Sequence, residues 1–177
     1  MLVLGGSQGA QVFNQRLPQL LAAAGLAEVA VWHQCGRQGD ADAVASAYAG
    51  HGIRATVEPF IADMAAAYQW CDFAVCRAGA MTVSELCAAG VAALLVPYPY
   101  AVSDHQALNA QFMVAEGAAV MVRQTDFLRG GWTRQVAELR ADRDALARMS
   151  ECARRLARPD AAVRLADACE EAICARR

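Results

Sequence analysis

The chain has 177 residues, 56% of them hydrophobic, a formal net charge of −2 and seven cysteines. That is enough apolar side chain for one buried core without disulfide or metal support, and too little basic charge for a nucleic-acid backbone to be the expected partner. The cysteines are odd in number and form no C-x-x-C pair, which argues for free thiols in a reducing cytoplasm, and no apolar run approaches the ~20 residues that span a bilayer.

"MLVLG" (1–5) reads as a buried strand that runs into the glycine-rich "GSQGAQ" and then into a helix-spaced stretch, 8–24. Gly5, Gly6 and Gly9 allow a sharp turn that brings backbone amides to the start of that helix, where its dipole favours an anion. An ordinary tight strand-to-helix turn explains the same glycines. The loop has neither the G-x-G-x-x-G spacing nor the G-K-[ST] ending, and no acidic residue closes the second strand, "EVAVWH" (28–33), which disfavours a dinucleotide-dependent oxidoreductase. His33 at that strand's end reads as a structural histidine. "DAD" (40–42) opens the helix 41–50, where acidic residues suit the dipole better than they suit a metal. A third strand, "IRATVE" (53–58), and a helix, 62–70, follow.

After the fourth strand, "DFAVC" (72–76), comes "CRAGAMTVSELCAAG" (76–90), with a helix over 83–89. Gly79 opens another turn and Arg77 sets a fixed cation beside it, suited to phosphate or to a stacked base. Thr82 and Glu85 have capping-box spacing, yet a carboxylate at the carboxyl edge of a sheet also suits a ribose diol. After the fifth strand, "AALLVP" (92–97), the loop "VPYPYAVSDHQALNAQF" leads into a helix over 104–116. Ser103 and Gln106 again have capping spacing, whereas Gln106 and Asn109, three apart on one helix face, suit the hydroxyls of a sugar. A sixth strand, "AAVMV" (118–122), ends the alternation. From Gly131 the pattern is helical only, with Leu139, Leu146 and Met149 on a core-facing side and a new helix after Pro159.

Strands alternating with helices, several of them apolar on both faces, predict an α/β domain with a doubly wound, six-stranded parallel sheet of Rossmann-like type and extra C-terminal helices. In such a sheet the ligand belongs at the carboxyl ends of the strands.

Three segments in register, "GGSQGAQVFNQ", "PFIADMAAAYQWCDFAVCRAGAMTVSELCAAG" and "DHQALNA", resemble the carboxy-terminal half of the MurG family. These are the bacterial undecaprenyldiphospho-muramoylpentapeptide N-acetylglucosaminyltransferases, two-domain GT-B enzymes of glycosyltransferase family 28. The resemblance implies that residues 1–177 form a single donor-binding domain for UDP-N-acetylglucosamine. It implies that Gly6 and Ser7 close over the diphosphate, that the backbone of Ile61 reads the uracil edge, and that Arg77 lies beside the base. Ala80, Met81, Thr82, Val83 and Ser84 would present the start of a helix to phosphate and sugar, and Glu85 would bind the ribose hydroxyls. Gln106 would read the sugar hydroxyls with Asn109 in support, while His105 stands where some members carry a further glutamine.

The implied reaction is inverting transfer of N-acetylglucosamine to the muramoyl 4-hydroxyl of lipid I, giving lipid II in peptidoglycan synthesis, with no metal or cofactor. The family's amino-terminal domain supplies the acceptor site, the general base and a membrane-facing patch. None of these has a counterpart here, so no catalytic residue is expected on this chain and it is expected to bind donor without turning it over. The full-length enzyme would work at the cytoplasmic face of the inner membrane. Two other readings remain open: the donor-binding subunit of a split transferase that needs a membrane partner, and a UDP-N-acetylglucosamine 2-epimerase, which "RAGAMTVSE" fits less well.

Overall fold

The computed structural model describes residues 1–6 and 10–174. The elements run β1 (Leu2–Leu4), α1 (Gln11–Ala23), β2 (Val31–Gln34), α2 (Ala41–Gly50), β3 (Ala55–Glu58), α3 (Met64–Trp70), β4 (Ala74–Cys76), α4 (Ala80–Ala89), β5 (Ala93–Leu95), α5 (His105–Ala115), β6 (Ala119–Met121), α6 (Gln124–Arg129), α7 (Thr133–Ala141), α8 (Arg143–Arg155) and α9 (Ala161–Cys174). All six strands are parallel in the order β3-β2-β1-β4-β5-β6, with Val3 beside both His33 and Val75. The predicted sheet is therefore present, strand for strand.

Strand alternation divides the core into two layers. Val3, Val75 and Leu94 face α1, α2, α6 and α7, where Phe13, Tyr48, Phe127 and Trp132 are buried. Leu2, Leu4, Ala74, Cys76 and Leu95 face α3, α4 and α5 on the other side. Each fully buried aliphatic side chain of this kind stabilises the fold by about 1.5–3 kcal/mol. An edge-to-face contact of Phe13 with Phe127 (5.3 Å between centroids) and a stacked pair of Phe127 and Trp132 (5.1 Å) fasten α6 and the start of α7 to α1. Along α9 no residue is buried.

Because the strand order reverses between β1 and β4, the loops after these two strands diverge to opposite faces of the sheet. A crevice opens between them at the carboxyl edge, the place where doubly wound sheets bind ligands.

Candidate functional site: an anion-binding crevice at the switch point

The crevice has a volume of about 970 Å³. The loop after β1 contributes Gly5, Gly6 and Ala10, and the loop after β4 contributes Arg77 and Gly79, with Thr82 from α4. Tyr98 and Gln106 close one side, and Asn14 and Arg16 of α1 another. Two arginines line it and no carboxylate does, among the described residues.

Among the described residues, both helices that open onto it lack a side-chain cap. Ala10 precedes α1 and Gly79 precedes α4, neither has a side chain that can cap, and neither helix has an acidic residue in its first turn. Their first backbone N–H groups are left for something else, and the two positive dipole ends point at one space. Gly6, at φ +80°, adopts a conformation that side chains rarely tolerate.

Arg77 is held rather than free. Its guanidinium donates to the carbonyls of Val96 (3.1 Å) and Pro97 (3.2 Å) and to Oε1 of Gln124 (2.6 Å). It also lies 5.1 Å from the ring centre of Phe13 and 5.5 Å from that of Tyr98. Burial lowers its pKa, but an arginine stays charged. Among the described residues every hydrogen-bond partner is neutral, so its full positive charge remains for the crevice.

The capping-box reading of Thr82 and Glu85 is corrected by the structure. The helix starts three residues earlier than predicted, at Ala80, which places Thr82 inside the first turn instead of at the cap. Glu85 Oε2 instead accepts from the Tyr68 hydroxyl at 2.9 Å. Burial first, then that bond, raises the Tyr68 pKa, so the phenol keeps its proton and holds the carboxylate in place. Of the other α4 residues, Ala80, Met81 and Ser84 are exposed, whereas Val83 is buried and its amide donates to the Gly79 carbonyl at 2.9 Å.

The Ser103–Gln106 capping box is corrected as well. Ser103 and Asp104 both take left-handed backbone (φ 51° and 52°), and Asp104 forms a two-pronged ion pair with Arg123, each contact 2.8 Å. Hydrogen bonding to Arg123 holds the Asp104 carboxyl below its usual range. Gln106 Oε1 accepts from the Tyr98 amide at 3.0 Å while the residue lines the crevice. Asn109 donates to the Ala78 carbonyl at 3.0 Å, bracing the loop before α4. His105 is exposed, its ring nitrogen 2.8 Å from the Val102 carbonyl.

Ile61 is 1% exposed, and its amide donates to Gln34 Oε1 at 3.3 Å. Ser7 lies outside the described residues. "DAD" proves a helix start, with Asp40 accepting from the Ala43 amide. Sequence reasoning missed Gln34, Asn14, Tyr98 and Gln124. Gln34, Asn14 and Gln124 act through bonds to residues far along the chain, although Gln34 ends a strand at the predicted ligand edge, and Tyr98 is bonded to Gln106 eight residues on.

Residues 1–165 match the glycosyltransferase family 28 C-terminal domain. The chain belongs to this family. It is 55% identical over 167 residues to the UDP-N-acetylglucosamine–N-acetylmuramyl-(pentapeptide) pyrophosphoryl-undecaprenol N-acetylglucosamine transferase of Xanthomonas axonopodis pv. citri, covering 94% of this chain and 39% of that one. It is 51% identical over 173 residues to the enzyme of the same name from Marinobacter nauticus, covering 97% of this chain and 47% of that one. The crystal structure of Acinetobacter baumannii MurG matches with a TM-score of 0.86 at 39% identity, over 96% of this chain and 49% of that one. The family 28 chain thus spans about half the length of these relatives or less, and the resemblance to MurG read from its motifs is borne out.

Proposed function

We propose that this family 28 chain is the donor-binding half of an inverting, metal-independent glycosyltransferase. It binds UDP-N-acetylglucosamine in the switch-point crevice, for transfer of the sugar to the muramoyl 4-hydroxyl of lipid I. The observation that carries this reading is the pairing of two uncapped helix starts with two arginines and no carboxylate in one crevice. A nucleoside diphosphate is the ligand such a site suits, and the named activity of the relatives supplies the sugar.

In this reading α1 and α4 direct backbone amides at the diphosphate while Arg77 contributes its charge from behind. As the anomeric carbon is attacked and its bond to the diphosphate breaks, negative charge grows on the leaving UDP. Fixed donors stabilise that charge without reorganising, and one well-placed donor is typically worth about 3 kcal/mol. Gln106 in the crevice reads the sugar, while Glu85 and the loop at Ile61, both beyond the crevice lining, take the ribose hydroxyls and the base. The 4-hydroxyl nucleophile and its general base come from an acceptor half, a domain or partner subunit beyond these residues. The assembled enzyme works at the cytoplasmic face of the membrane. Among the described residues no helix is long and apolar enough to cross one.

Transfer of labelled N-acetylglucosamine to lipid I, by a protein joining this stretch to an acceptor half, tests the reading. Product that forms equally with and without EDTA is expected. Conversion of the donor to UDP-N-acetylmannosamine without transfer would mark an epimerase instead.

A further inference from the structure

Gln34 closes β2 with its side chain almost wholly enclosed, the residue being 5% exposed. A buried primary amide costs stability unless both its ends find partners. Here each end finds a backbone atom, and the two belong to different loops. Nε2 donates to the carbonyl of Gly6 at 3.1 Å, in the loop after β1. Oε1 accepts from the amide of Ile61 at 3.3 Å, in the loop after β3. These strands flank β2 on either side in the sheet, Leu4 and Glu58 both standing in register with Gln34.

One side chain therefore spans from the glycine loop to the loop at Ile61. It also fixes the direction of the Gly6 carbonyl. That oxygen is bound by an amide donor, and its negative end is directed at Gln34 instead of at an anion in the crevice.

We infer that Gln34 is a positioning residue that locks the glycine loop to the Ile61 loop, so that the base and the diphosphate of one ligand meet a single rigid platform. The inference rests on the proposed binding of a uridine nucleotide. Gln34 itself touches no reacting atom. Its effect lies in the extra affinity that the phosphates add to a nucleoside, because only a ligand reaching both loops benefits from their fixed separation.

Two substitutions separate the ends of the amide. Gln34→Glu keeps an acceptor for the Ile61 amide but sets a carboxylate against the Gly6 carbonyl. Gln34→Met removes both bonds at similar volume. Titration calorimetry with uridine and with UDP reads the result. In Gln34→Glu, affinity for UDP falls about tenfold or more while affinity for uridine changes by less than about threefold. In Gln34→Met, both fall and UDP falls further. Equal losses for the two ligands, or no loss, would overturn the inference.

Amide hydrogen exchange at Ile61 provides a readout independent of ligand. Protection in wild type and Gln34→Glu, lost in Gln34→Met beyond any global loss of stability, is the expected pattern; equal protection in all three overturns the bridge. Failure to bind either ligand, both in the wild-type chain and when it is joined to an acceptor half, would instead contradict the proposed function, with the exchange pattern still deciding whether Gln34 locks the two loops.

Discussion

At the scale of single residues, Glu85 and Gln106 each commit one side-chain oxygen to the protein, and of the two only Gln106 lines the crevice. Glu85 Oε2 takes the Tyr68 hydroxyl, and a glutamine there retains an oxygen for the same bond. Glu85→Gln is therefore expected to shift the melting temperature by less than about 2 °C while weakening UDP about tenfold, because a charged acceptor for the ribose diol is lost. A large drop in melting temperature with unchanged affinity would assign Glu85 a purely structural role. Gln106 Oε1 is committed to the Tyr98 amide, which leaves its NH₂ group as a donor toward the sugar. Gln106→Ala is expected to weaken UDP-N-acetylglucosamine about tenfold and UDP by less than about threefold, as calorimetry with both ligands would show. Equal losses would contradict a sugar contact.

Pairs of elements carry a different kind of prediction. His33 on β2 is fully enclosed against α2, its Nδ1 hydrogen-bonded to the Tyr48 hydroxyl at 2.9 Å and its Nε2 without a partner among the described residues. The sequence reading as a structural histidine is correct, though only one of its nitrogens is satisfied. Burial depresses its pKa from the ordinary 6.5 to about 3. A histidine held neutral in the fold contributes stability that is fully present above the unfolded value. It is lost as pH falls below about 6.5, because the unfolded chain then gains a proton that the fold refuses. The slope approaches ~1.4 kcal/mol per pH unit until the folded value is reached. His33→Phe is expected to flatten the acid limb of a melting-temperature profile between about pH 6 and 4 relative to wild type. Parallel profiles would show that the β2–α2 packing is indifferent to this group.

The six strands and their parallel arrangement were legible because a parallel sheet covered on both faces needs short runs that are apolar throughout, and β1, β4 and β5 are buried at every position. Boundaries were less so. β2 begins at Val31 rather than at residue 28, and α4 begins at Ala80 because glycine alone caps it, so the nearest threonine misled. The six-residue α6 was not visible at all, being too short for a helical period to show.

For the molecule as a whole, local spacing located the loops but not what holds them. The bonds of Arg77 to Gln124 and of Gln34 to Gly6 and Ile61 join residues 47, 28 and 27 apart, separations at which no motif has a period. The same folding that creates those bonds also gathers Arg16 and Arg77 in the lining of one crevice, with no carboxylate in that lining among the described residues. Charge segregation of that kind is a property of the fold, and it sets the expected ligand as an anion.

Isothermal titration calorimetry of the 177-residue chain with UDP-N-acetylglucosamine, against UDP and UDP-glucose without added metal, tests that claim most directly. Saturable one-to-one binding that prefers the N-acetylglucosamine donor and weakens in an Arg77→Met variant is the expected result. Absence of binding by any of the three nucleotides, both in this chain and when it is joined to an acceptor half, would contradict it.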